Sequence, residues 1–134
     1  MAWRRTILIT DSDPRLRHLV HLTIASDDYL VLEAADGDEA WQVLQTCRPD
    51  LAVLDVWMPG RSGLELTRAI RSDPALADTR VILLTANDQK FDVATGRAAG
   101  ADYYITRPFS PLQLVRTVEE CLGRAGGSAF DCWN

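Results

Sequence analysis

Five short apolar runs alternate along the chain with five stretches that carry apolar residues at helical spacing. The runs are Thr6 to Thr10, Leu30 to Leu32, Leu51 to Leu54, Arg80 to Leu84 and Tyr103 to Ile105. Short runs bounded by turn formers read as strands, and unbroken apolar character marks a strand covered on both faces. Between them, Pro14 opens a helical pattern through Leu16, Leu19, Val20 and Ile24. A second helix starts at Asp36 or Gly37 and presents Ala40, Val43 and Leu44. A third spans Gly63 to Arg71 through Leu64, Leu66, Thr67 and Ile70, and Asp73-Pro74 breaks it. A fourth runs from Asp88 to Ala99, with Gly100 as its C-cap. Ser110 caps the fifth, which has Pro111 in its first turn and Leu112, Leu114, Val115, Val118 and Leu122 on its apolar side. Strand–helix alternation of this kind predicts an α/β fold, with a parallel sheet, helices on both faces and right-handed crossovers.

The 134 residues suffice for one domain with a real core, taken here as residues 1–123. Residues 124–134 form a Gly- and Ser-containing tail, which either frays or docks through Phe130 and Trp133. Such a tail is too short for an effector domain, so output is expected through a partner protein. The formal net charge is −5, which disfavours direct binding to nucleic acid or an anionic membrane. No apolar stretch reaches membrane-spanning length, and the N-terminus does not read as a signal peptide. Cys47, Cys121 and Cys132 lack metal-like spacing, and an odd count without an export signal points to a reducing, cytoplasmic setting.

Chemistry collects at the strand ends. In a parallel sheet these lie on one edge, where α/β proteins bind ligands. Asp11, Ser12 and Asp13 follow the first strand and Asp55 closes the third. Thr85 ends the fourth, and Thr106-Arg107-Pro108 follows the fifth. Carboxylates gathered from neighbouring strands attract a hard cation such as Mg2+. Asp55 then becomes a nucleophile toward phosphorus, with the Thr85 hydroxyl and the Arg107 cation available for the phosphoryl oxygens. Each piece also has a plainer reading: Asp11 and Asp13 as helix caps, Thr85 as a strand terminus, Arg107 as a surface cation.

Taken in this order, the pieces resemble the receiver domain of two-component response regulators. The resemblance runs from about Thr6 to Leu122. It is carried by Ile7-Leu8-Ile9-Thr10-Asp11-Ser12-Asp13-Pro14, by Leu54-Asp55-Val56-Trp57-Met58-Pro59-Gly60, by Leu83-Leu84-Thr85-Ala86, and by Gly100-Ala101-Asp102-Tyr103-Tyr104-Ile105-Thr106-Arg107-Pro108-Phe109. It implies a doubly wound, flavodoxin-like (βα)5 sheet of strand order 2-1-3-4-5. It implies that Asp55 accepts a phosphoryl group from a histidine kinase or phosphotransfer protein, and that Mg2+ sits on Asp11, Asp55 and the backbone carbonyl of Trp57. Thr85 and Tyr104 would be the switch pair that remodels the face made by helix four, strand five and helix five. That face would engage an output protein or a second copy of the chain. The only catalysis implied is the domain's own phosphorylation and dephosphorylation.

Two positions depart from the family. Ser12 stands where a second metal-binding acid is usual, and Arg107 stands for a lysine. A hydroxyl is a weak substitute for a carboxylate, so weakened Mg2+ affinity is expected. Arginine keeps the charge of lysine but not its compact geometry. The alternative is a pseudo-receiver, a protein-interaction module that works without phosphorylation. Asp11-Ser12-Asp13 also resembles the start of haloacid-dehalogenase-type phosphohydrolases, with Asp11 as nucleophile, but that leaves Asp55 unexplained. Flavin binding fits only the fold, because the acidic first loop repels a phosphate. Trp57 reads either as a cover that shields a phosphorylated Asp55 from water or as an exposed loop aromatic.

Overall fold

The computed structural model of the chain describes residues 5–86, 93–107 and 109–122, with the side chains of 86, 93 and 107 left aside. Five strands form one parallel sheet: β1 (Arg5–Thr10), β2 (Tyr29–Ala34), β3 (Leu51–Asp55), β4 (Arg80–Ala86) and β5 (Tyr103–Arg107). Their order is β2-β1-β3-β4-β5, the doubly wound flavodoxin-like arrangement expected from the resemblance. The helices are α1 (Pro14–Ile24), α2 (Gly37–Cys47), α3 (Gly63–Ser72), α4 (Val93–Ala99) and α5 (Pro111–Leu122), with a short 3-10 turn over Pro74–Leu76.

Period-two alternation along the strands sorts the core into two layers. Ile7, Ile9, Leu51, Val53, Ile82 and Leu84 face one way and meet Val20 and Ile24 of α1 and Leu114, Val118 and Leu122 of α5. Leu8, Ala52, Leu54, Val81 and Leu83 face the other and meet Ala40 and Leu44 of α2 and Leu66 and Ile70 of α3. β3, flanked by β1 and β4, is buried throughout, which is why its sequence is uniformly apolar until Asp55. β2 is an edge strand and only its last residue is buried.

The helix ends follow local chemistry. Asp13 caps α1 by accepting from the Arg15 N–H at 2.9 Å. Asp36 caps α2 through the Glu39 N–H at 2.8 Å. Ser62 and Glu65 form a reciprocal capping box at the start of α3. The Ser110 hydroxyl accepts from the Gln113 N–H at 3.2 Å at the start of α5. Gly100, at φ +109°, ends α4 as anticipated.

Several expectations are corrected. β4 runs one residue past Thr85 to Ala86, and β5 runs on to Arg107, so Thr106 and Arg107 lie within β5 rather than after it. The reason is non-local: Thr85 pairs with Thr106, and Ala86 with Arg107. Leu19 and Leu112 do not join the core; they are 51% and 56% exposed. Only a narrow stripe of α1 and of α5 touches the sheet, and these leucines lie beside it. Residues 88–92 of the expected fourth helix and the 124–134 tail with Phe130, Cys132 and Trp133 lie outside the described residues. No helix among the described residues is long and apolar enough to cross a membrane.

Candidate functional site

The sheet changes direction between β1 and β3. β2 lies on one side of β1 and the later strands on the other, so the helices that follow β1 and β3 leave on opposite faces. A crevice at the carboxyl edge results, and this is where doubly wound folds bind ligands. Asp11 follows β1 here and Asp55 ends β3. Both carboxylates are buried, with exposures of 2% and 5%. Burial of two like-charged groups on adjacent strand ends is costly without a cation or donors.

Asp55 is fixed by its neighbours. Its backbone N–H donates to Thr10 Oγ1 at 3.3 Å, and that hydroxyl donates to the Val53 carbonyl at 3.3 Å. Thr10 thus ties β3 to β1 through a side chain. The Trp57 N–H donates to Asp55 Oδ1 at 3.3 Å. Val56, next in the chain, donates its N–H to Leu84 O at 2.9 Å and accepts from Gly63 N–H at 3.0 Å. Gly63 must lack a side chain, because a Cβ there would lie 2.5 Å from the Asp55 carbonyl oxygen.

The loop beyond Asp55 is seated on α2. The Gly37 N–H donates to Pro59 O at 3.1 Å. The Arg61 guanidinium lies over the Trp41 ring, 5.0 Å from its centroid. Gly60 takes φ +77°, a backbone conformation that favours glycine, against Asp38.

Asp11 is held at three points. Its N–H donates to Ala34 O at 3.3 Å, its carbonyl accepts from Arg17 Nη1 at 2.7 Å, and its Oδ1 accepts from the Asp13 N–H at 2.9 Å. Asp13 itself is exposed, and its carboxylate is spent on the α1 cap. Asp13 thus caps the helix, whereas Asp11 is buried just past the end of β1 and bonds the Asp13 N–H. Ser12 is exposed. Thr85 is wholly buried one residue beyond Leu84, the register partner of Asp55. Tyr104 pairs with Leu83 and packs, partly buried, against the α2–α3 layer. The Arg107 backbone ends β5 opposite Ala86, but its side chain lies outside the described residues. Trp57 is 49% exposed.

The groups that would hold an ion offer hard oxygens: the Asp11 and Asp55 carboxylates and the Trp57 backbone carbonyl. Among the described residues, no group of three or more His, Cys, Asp or Glu side chains is placed to hold an ion. Two buried carboxylates at adjacent strand ends would fit Mg2+, which takes one or two carboxylates and completes its shell with water and phosphate.

Thr10 and Arg17 were not singled out from the sequence. Thr10 looks like any strand residue, and Arg17 like any helical surface cation; their roles depend on partners that folding supplies.

Residues 7–119 match the family described as the response regulator receiver domain. The phosphate regulon transcriptional regulatory protein PhoB of Pseudomonas aeruginosa is 38% identical over 122 residues, covering 91% of this chain and 53% of that protein. The transcriptional regulatory protein ResD of Bacillus subtilis is 37% identical over 124 residues, covering 92% of this chain and 50% of that protein. The chain therefore spans about half the length of these curated relatives. Among solved structures, the chemotaxis response regulator CheY4 of Vibrio cholerae superposes with a TM-score of 0.80 at 31% identity, covering 89% of this chain and 99% of that one.

Proposed function

This chain belongs to the response regulator receiver family, and on that footing we propose that Asp55 accepts a phosphoryl group from a histidine kinase or phosphotransfer protein. The observation that carries the reading is the buried Asp55 at the end of β3, beside a second buried acid, Asp11. In the transfer, an Asp55 carboxylate oxygen forms a bond to phosphorus as the donor's N–P bond breaks, and the imidazole keeps the departing electron pair. The Trp57 N–H and the Thr10 bridge hold the carboxylate and its backbone in place for attack. Asp11, Asp55 and the Trp57 carbonyl would hold Mg2+, whose charge offsets that of the phosphoryl oxygens. The buried Thr85 hydroxyl would then turn to a phosphoryl oxygen and Tyr104 would move inward, shifting the α4-β5-α5 face between two populations. That face would carry the output to a protein partner or to a second copy of the domain. The domain would act in the cytoplasm and turn over no substrate beyond its own aspartyl phosphate.

Ser12 favours a second reading, a pseudo-receiver that signals without phosphorylation. An exposed hydroxyl stands where a carboxylate would add charge to the metal site. The two readings separate when the wild type, Ser12→Asp and Asp55→Asn are incubated with a small phosphodonor over a range of Mg2+ concentrations and intact mass is followed. The first reading expects one phosphoryl adduct in the wild type and none in Asp55→Asn. It also expects Ser12→Asp to reach half-saturation at lower Mg2+. No adduct in the wild type at saturating Mg2+ supports the pseudo-receiver.

A further inference from the structure

An ionic chain runs from the sheet edge across α1 and ends on the Asp11 loop. Glu33 of β2 accepts Arg17 Nε on Oε1 at 2.9 Å and meets His21 Nδ1 with Oε2 at 2.5 Å. The His21 hydrogen bond chiefly, and then Arg17, lower the Glu33 pKa from its ordinary value against some desolvation, so Glu33 stays an anion. With Nε committed to Glu33, the planar guanidinium has a fixed orientation. Its Nη1 then reaches the Asp11 carbonyl at 2.7 Å. Ala34, next to Glu33, accepts the Asp11 N–H. Asp11 is thus gripped at both its peptide groups from the end of β2, once directly and once through Arg17.

We propose that Arg17, anchored on Glu33, is a positioning residue for Asp11: it fixes the backbone from which the Asp11 carboxylate enters the metal-binding crevice. The inference rests on the reading of Asp11 as a metal-binding acid. The brace carries unusual weight in this chain because Ser12 supplies no second carboxylate. A turn of the Asp11 peptide leaves Asp55 as the sole acid of the pair on the ion. Removing an outer partner of a metal ligand commonly weakens metal binding by about 10-fold or more.

The test uses the full chain, Mg2+ alone as the probe, and amide NMR signals of Asp11 and Asp13. The Asp13 N–H bonds to Asp11 Oδ1, so its shift reports where the Asp11 carboxylate points, with or without metal. Arg17→Met keeps the side-chain stem and removes the fork. It is expected to move the Asp13 signal in the metal-free protein and to weaken Mg2+ about 10-fold. Arg17→Lys replaces the planar fork with a single nitrogen that lacks its fixed geometry toward Glu33 and the Asp11 carbonyl, so it restores only part of the loss. Val20→Ala, a buried change on the same helix, lowers thermal stability but leaves the Asp13 signal and the Mg2+ affinity as in the wild type. The proposal is overturned if Arg17→Met leaves the Asp13 signal in place, or if Val20→Ala weakens Mg2+ as much as Arg17→Met does. If the wild type binds no Mg2+, it is the metal reading that fails, and the metal-free Asp13 signal still decides whether Arg17 positions Asp11.

Discussion

Gly37→Ala tests whether the loop carrying Trp57 is seated on α2. Gly37 is the first residue of α2, and helix propensity alone favours alanine over glycine by up to about 1 kcal/mol. The tertiary contact reverses the sign. A Cβ on residue 37 would lie 1.9 Å from the Arg61 carbonyl oxygen and 2.6 Å from Arg61 C and N. These are backbone atoms and cannot rotate away, so either the loop lifts or α2 shifts. Lifting the loop breaks the Gly37 N–H to Pro59 O bond and draws Arg61 off the Trp41 ring. Those contacts are worth about 1 kcal/mol and about 0.5–1 kcal/mol respectively. Holding the loop in place instead incurs an overpacking cost of about 1–3 kcal/mol. After the full propensity gain, the variant is less stable by about 0.5–1 kcal/mol if the loop lifts and by up to about 2 kcal/mol if it holds. For a domain of this size that lowers Tm by roughly 2–10 °C, read by calorimetry or circular dichroism. Asp38→Ala is the control, because its 3.8 Å pair with Arg61 is solvent-exposed and contributes little. A Gly37→Ala protein that melts at or above the wild-type temperature would refute the reasoning.

Three further outcomes follow from the geometry. Asp102 accepts from Arg71 Nη2, Arg80 Nη1 and the Val81 N–H at 2.9, 3.3 and 2.8 Å, so Asp102→Ala is expected to lose about 2–3 kcal/mol in urea titrations. Asp13→Ala removes the α1 cap and about 1 kcal/mol of stability, yet leaves the phosphoryl adduct on Asp55 intact because its carboxylate points at the Arg15 N–H; loss of the adduct would contradict this placement. The pKa of Glu33 is lowered on folding from 4.5, so its contribution is complete above that value and disappears as pH falls through the folded pKa. The stability gap between wild type and Glu33→Gln should therefore shrink as the solution is acidified below 4.5, and a gap independent of pH would count against the pairing.

The parts of the fold legible in the sequence are those whose signal is local. β3 reads as buried because every residue from Leu51 to Leu54 is apolar, and Asp55 stands out because a carboxylate interrupts that run at a sheet edge. The Ser110 cap and the Gly100 end of α4 are legible because their signals lie within a few residues. What escaped depends on distant partners. Helical spacing placed Leu19 and Leu112 among core residues, but spacing does not say how wide a stripe the neighbouring layer covers. The ends of β4 and β5 are set by pairing with each other, which no local pattern records. The Glu33–Arg17–Asp11 chain joins an edge strand, a helix face and a loop carbonyl, and has no sequence signature.

The central claim is that Asp55, and not Asp11, becomes an acyl phosphate. Borohydride reduces an aspartyl phosphate to homoserine, which marks the position permanently. The protein is treated with a small phosphodonor and Mg2+, reduced, digested and mapped by peptide mass spectrometry. The account predicts homoserine at position 55 alone and none in Asp55→Asn. Homoserine at position 11, or at neither position, would contradict it.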